Sequence, residues 1–377
     1  MRTLMRFAVL CAAAVAAGAV FAGTAAADPG GPPRPTHVVF VLTDNVAGNQ
    51  VVAYDADSSG TLTPAGVYST RGLGGALAGS VVDHTASQGA LAYDASRQLL
   101  FAANPGSSTI SVFRVNGDHL ALIQVISSGG SFPVSIAARN GLVYVLNALD
   151  GGSVQGFGAI GEHLFALPFS HRELGLGTTG STPFTATPGE VAFSPDGSKL
   201  IVTTKGSGNA VDVYRVGFLG LISATSTVNV DAGAVPFAVA FDQGGDLVVS
   251  EAGTNSVATF SLAGDGSTSL LHRVATGQAA TCWVTASGSF VFASNAGSPS
   301  VSRVAVGSGG TVSLLGNTTT DPGTVDSAAT PDGQFLYVQA GGPGNVDGYR
   351  IGSDGSLTAV GSVSVPGAAG GEGIVAL

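Results

Sequence analysis

The sequence predicts an all-β, seven-bladed β-propeller closed by N- and C-terminal strands in one blade, and three observations predict it. One strand-turn-strand phrase recurs seven times along the chain. Gly accounts for 57 of the 377 residues while only 10% are charged, a balance that suits many tight turns and few solvated helices. No helical period of useful length interrupts the pattern.

Each phrase reads as a short apolar strand, a turn often written Pro-Asp-Gly, a strongly apolar strand ending in small or amide residues, a third alternating strand, and a fourth. The second strands fall at 38–43, 99–104, 142–147, 200–204, 247–251, 290–295 and 335–339. Their spacing suits four-stranded blades. Third strands follow at 50–54, 110–113, 211–214, 257–260 and 346–349, alternating as half-buried strands do. Hairpin signals such as Asn116-Gly117-Asp118 and Gly264-Asp265-Gly266 separate third strands from fourth. The first phrase lacks its opening strand, whereas the last ends with a spare one at 372–377. The tail is therefore expected to complete blade 1 and remove an open sheet edge. The alternative is six blades and a stray hairpin.

Residues 1–27 read as a secretory leader, with Arg2 and Arg6 before an apolar stretch and Ala25-Ala26-Ala27 as the cleavage site. A flexible segment at 28–36 and one propeller domain at 37–377 are expected to follow, in a secreted or extracellular monomer. The net charge of −10 grows more negative once Arg2 and Arg6 leave, which argues against nucleic acid as a partner. No apolar run is long enough for a comfortable membrane span. Cys282 is the one cysteine outside the leader, so no internal disulfide is expected in the mature chain. It reads as a small buried residue.

Ligands of propellers bind where the connections from fourth to first and from second to third strands meet around the channel. Two such connections, 71–88 and 175–187, are long enough to cover that face. Residues leading into first strands supply Gln88, Glu190, Asp326 and Glu372, and the ends of second strands add Asn104, Asn147, Lys205, Glu251 and Asn295. Together they predict a polar, somewhat acidic mouth for a small hydrogen-bonding ligand. The competing reading of each Asn is a side chain that satisfies backbone groups at a blade edge.

Asp83-His84 is the best acid–base candidate, since a carboxylate beside an imidazole can orient it. Asp55-Ala56-Asp57-Ser58-Ser59-Gly60 imitates the start of a calcium loop, but Gly66 occupies the position that needs a bidentate Glu. It reads as a hairpin turn. No G-x-S-x-G elbow or phosphate-cradling loop is present, and no two histidines share a metal-ligand spacing. Neither a cofactor nor a metal is expected.

The phrases Phe193-Ser194-Pro195-Asp196-Gly197 before Lys199-Leu200-Ile201-Val202, and Thr330-Pro331-Asp332-Gly333 before Phe335-Leu336-Tyr337-Val338, resemble the lactonase propeller family. That family includes propeller-type 6-phosphogluconolactonase and the carboxymuconate lactonizing enzymes, or cyclases. The resemblance implies a histidine five residues before the Ser or Asp of the blade turn, where this chain carries Gly189 and Phe237. It also implies an acidic residue after the second strand, where Lys205-Gly206-Ser207-Gly208-Asn209 stands. The expected function is thus an exported propeller that binds a small molecule or a protein on its channel face. The alternative is a divergent lactone hydrolase or lactonizing enzyme working through Glu190 and His84.

Overall fold

A computed structural model describes residues 36–177 and 183–377. The leader read at 1–27 and the segment at 28–35 lie outside the described residues. Seven antiparallel sheets follow one another along the chain. Blade 1 joins Ile374–Ala376 to His37–Leu42, Gln50–Ala56 and Leu62–Ser69. The C-terminal tail does close the ring, with Val39 opposite Ala376 and Val41 opposite Ile374. Two tyrosines tie blade 1 to blade 7 beside that seam: the Tyr337 hydroxyl donates to the Gly60 carbonyl at 3.0 Å, and that of Tyr54 to the Ser364 carbonyl at 3.1 Å. Because pairing across the seam replaces an open edge, ring closure stands in for a covalent staple.

Blade 2 runs from Leu91–Asp94 to His119–Ser127, and blade 3 from Pro133–Arg139 to His163–Ala166 with an added pair at Arg172–Glu173. Blade 4 spans Val191–Phe193 to Thr227–Val230, and blade 5 Pro236–Phe241 to Thr268–Ala275. Blade 6 extends from Thr281–Ser287 to Val312–Thr319, and blade 7 from Thr324–Ala329 to Leu357–Ser364.

The second strands are the most apolar because both faces are covered. Leu99–Asn104, Lys199–Thr203, Leu247–Glu251 and Phe335–Ala340 are buried at every position. Fourth strands alternate between partly buried and exposed residues, as an outer edge requires. First strands pack against one another around the channel. In four of them the pairing with the second strand slips by a bulge near the channel mouth, at Pro133/Ser135, Pro236/Val239, Thr281/Trp283 and Thr324/Ser327. A bulge leaves backbone amides unpaired at the innermost edge, and this determines what the polar residues there do.

The Pro-Asp-Gly turns lie at the other end of the blades. Asp196 accepts from the Ser194 hydroxyl at 2.6 Å and the Ser198 amide at 3.0 Å, and Asp332 repeats the pattern with Thr330 and Gln334. These bonds hold the Asp196 carboxyl well below the usual range. The imitation calcium loop is a hairpin turn in which Asp57 Oδ1 accepts from the Ser59 and Thr61 amides. Among the described residues no helix is long and apolar enough to cross a membrane.

Candidate ligand site at the channel mouth

The connection between blades 1 and 2 dives into the channel instead of arching over it. Its last residues touch the inner strands of several blades at once. The Ser87 hydroxyl donates to the Val134 carbonyl of blade 3 at 2.8 Å, and its carbonyl accepts from Trp283 Nε1 of blade 6 at 2.6 Å. The Gln88 amide donates to the Gly189 carbonyl ahead of blade 4 at 3.1 Å. Its side chain meets Val284 of blade 6 as a strand would, accepting from the amide at 2.8 Å and donating to the carbonyl at 3.1 Å. Residues 83–89 are therefore a plug on the channel axis.

The carboxylates read from the sequence gather around this plug as acceptors for inner-edge amides. Glu190 Oε2 accepts from the Val239 amide of blade 5 at 2.6 Å, and Oε1 takes a long 3.4 Å bond from Gln88. Glu372 Oε1 accepts from the Gly89 amide at 2.7 Å. Asp326 accepts from the Ser327 amide at 2.8 Å and is hydrogen-bonded to Glu372. Burial pushes all three carboxyls up: Glu190 and Glu372 well above their usual range, and Asp326 to about 7. The proximity of the other acids adds to the rise for Glu190 and Glu372. Burial and mutual repulsion thus disfavour two anions at Asp326 and Glu372.

The remaining candidates separate into other roles. His84 lies against Gly370, donates its backbone amide to the Gly370 carbonyl at 2.8 Å, and does not meet Glu190. Its neighbour Asp83 turns inward, accepting from the Thr85 and Ser87 amides. Asn104 donates to Thr109 and Ser111, Asn147 to Ser128 and Ser153, and Asn295 to Ser300 and Ser302. Each ties its strand end to the chain that follows. Glu251 is wholly buried and held by Arg273, with Nε 2.7 Å from Oε2, while Ser256 donates to the same oxygen at 2.5 Å.

Lys205 is the unexpected one. It leads a single helical turn, Lys205–Gly208, with a left-handed φ of 44°. Its ammonium is buried and donates to the carbonyls of Ala86 at 2.6 Å and Phe184 at 2.7 Å and to the Thr187 hydroxyl at 2.9 Å. It fastens the plug to the segment before blade 4. Burial pushes it down to about 7. The nearby Cys282 thiol is buried and pushed up to about 12.

Beside the plug, between blades 4, 5 and 6, lies a cavity of about 450 Å³, within the range of small-molecule sites. Val81, Val82, Phe184, Val235, Phe237 and Trp283 form most of its wall, and Ala252, Ala280 and Ala296 leave the space open. Phe237 and Trp283 meet edge to face with centroids 4.9 Å apart. Lys205 and Asp83 lie at its floor. Sequence reasoning missed these wall residues because it looked for polar groups. The signal was an alanine directly after Glu251 and Asn295, where a larger residue would close the space.

Gly189 is held by close approach: a Cβ there would sit 2.2 Å from the Phe237 carbonyl oxygen and 2.7 Å from Thr203 Oγ1. Arrangement and sequence alike define a seven-bladed propeller with a cavity beside the channel axis. The sequence model for the family described as "Lactonase, 7-bladed beta-propeller" matches residues 185–369. Among solved structures, a candidate 6-phosphogluconolactonase from Bacteroides fragilis aligns with a TM-score of 0.72 at 17% identity, covering 90% of this chain and 97% of its own. A Lactobacillus plantarum protein gives 0.72 at 20%, with 90% and 99% covered. The periplasmic gluconolactonase of Pseudomonas aeruginosa gives 0.70 at 17%, again with 90% and 99%. No curated protein matches the sequence. The family match over residues 185–369 and these likenesses support a lactonase-family seven-bladed propeller.

Proposed function

We propose that this propeller is a small-molecule-binding protein of the exported compartment, taking its ligand in the cavity between blades 4, 5 and 6. The observation that carries the reading is that cavity, about 450 Å³ and walled by Phe184, Phe237 and Trp283. The axial carboxylates meanwhile accept hydrogen bonds from the fold's own amides. Export is supported by Arg2, Arg6 and the alanine run at 25–27.

Lactone hydrolysis is the second reading, and the family match favours it. It would need Glu190 and His84 to act on one substrate, yet Glu190 is engaged by Val239 and Gln88 while His84 packs against Gly370. Neither lines the cavity. A thermal-shift screen of uncharged and anionic small molecules, repeated on an Ala252→Phe variant with the cavity filled, tests binding. A saturable upshift lost in that variant is the expected result. Hydrolysis of an aliphatic, aryl or sugar lactone by the wild type, abolished in Glu190→Gln, would overturn the binding-only reading.

A further inference from the structure

The chemistry of the cavity wall narrows the ligand. Its polar side chains have largely committed their hydrogen-bonding capacity to the protein. Trp283 Nε1 donates to the Ser87 carbonyl, and the Ser80 hydroxyl donates to the Asp83 carbonyl. Asp83 Oδ1 accepts from the Thr85 amide and hydroxyl, and Oδ2 from the Ser87 amide. The three ammonium hydrogens of Lys205 are matched by three protein oxygens between 2.6 and 2.9 Å. The one cation lining the cavity among the described residues is therefore committed as a strut. A phosphate or carboxylate entering here would lose its hydration without gaining a counter-charge, and a polyol would bury hydroxyls without partners. Alkyl or aryl surface meets Val82, Val235, Phe237, Trp283 and three alanines at no such cost. Val81 stands 84% exposed at the rim and continues the apolar surface to solvent.

Resting on the binding reading above, we infer that the ligand of this cavity is an uncharged, predominantly apolar small molecule, alkyl lactones included, and not a phosphorylated or polyhydroxylated sugar lactone. Specificity would then differ from what the names of the structural neighbours suggest, through a wall lacking free polar groups.

Trp283 is the only tryptophan in the chain and forms part of the wall, so its fluorescence reports occupancy directly. The experiment titrates the protein with δ-decanolactone and, separately, with 6-phosphogluconate, on wild type, Ala252→Phe and Ala296→Leu. Circular dichroism and elution volume identify the variants that keep the fold. The expected result is a saturable fluorescence change with δ-decanolactone, weakened about tenfold or more in a folded cavity variant, and none with 6-phosphogluconate. Binding of 6-phosphogluconate that the same variants weaken overturns the ligand class while leaving the binding reading intact. No response to either probe in the folded wild type overturns both.

Discussion

Asp326→Asn should flatten the dependence of stability on pH between 5 and 7. The Asp326–Glu372 pair is buried on the channel axis, and burial lifts the Asp326 carboxyl from 3.8 to about 7. A carboxyl with a higher pKa folded than unfolded takes up a proton on folding at any pH between the two values. Its contribution is full below the lower value and is lost as pH rises through the upper one. Each pH unit in that interval changes stability by about 1.4 kcal/mol per proton, so the Asp326 proton is worth about 2–3 kcal/mol between pH 5 and pH 7. The substituted amide could still accept from Ser327 and donate to Glu372, yet it would remove both the titrating group and the charge that raises Glu372. Lys205 acts above pH 7 in the opposite sense, because a depressed lysine releases its proton on folding. The assay is urea denaturation at fixed ionic strength from pH 5 to 7, followed by circular dichroism. Wild type should lose stability as pH rises and Asp326→Asn should lose less, by roughly the slope of one proton. Parallel curves for the two proteins would refute a raised Asp326 carboxyl.

Four further outcomes follow from contacts described above. Gly189→Ala should cost about 3 kcal/mol or more, since its Cβ would meet the Phe237 carbonyl at 2.2 Å. Gly189→His should lower soluble yield and melting temperature without creating lactonase activity. Lys205→Met strands the buried carbonyls of Ala86 and Phe184, each worth about 1–3 kcal/mol, and limited proteolysis should then cut within 71–90 sooner than in wild type. Arg273→Ala leaves Glu251 buried without its cation. Discounted for the partial exposure of Arg273, the loss should be about 2–3 kcal/mol, measured by denaturation, with the Trp283 response to δ-decanolactone unchanged.

The blades were legible in the sequence because a second strand covered on both faces must be a continuous apolar run, and a third strand covered unevenly must alternate. The run read at 200–204 became Lys199–Thr203, a one-residue change at each end, because Lys199 pairs with Arg215 at the start of the strand. Ring closure was legible from one missing strand and one spare. The candidate site was legible only in part. Glu190, Asp326, Glu372 and Gln88 do come together at the mouth, but the partners of Glu190, Asp326 and Gln88 are amides of bulged first strands, and a bulge carries no reliable signature in an apolar run. Lys205 reaches a carbonyl 119 residues away, a pairing set by which connection fills the channel and beyond any local pattern. Glu251 and Arg273 were recoverable in principle: within one blade, Glu251 pairs with Ser256 on the third strand, and Ala258 pairs with Arg273 on the fourth.

The plug also explains why the cavity lies beside the axis and not on it. An open channel lined by edge strands would expose a ring of unpaired amides to water, whereas a chain segment driven into it must bring acceptors for those amides or bury them unsatisfied. Gln88 from the plug and Glu190 beside it accept from the Val284 and Val239 amides, and Glu372 accepts from the plug's own Gly89 amide, which commits the polar residues of the mouth to the fold. The space the plug leaves at its side is the cavity of about 450 Å³. There blades 5 and 6 present Phe237, Cys282 and Trp283 from inner strands and alanines from the ends of second strands. The small residues that keep this space open and the carboxylates that seal the axis are two consequences of one decision of the chain, to send residues 83–89 through its own centre.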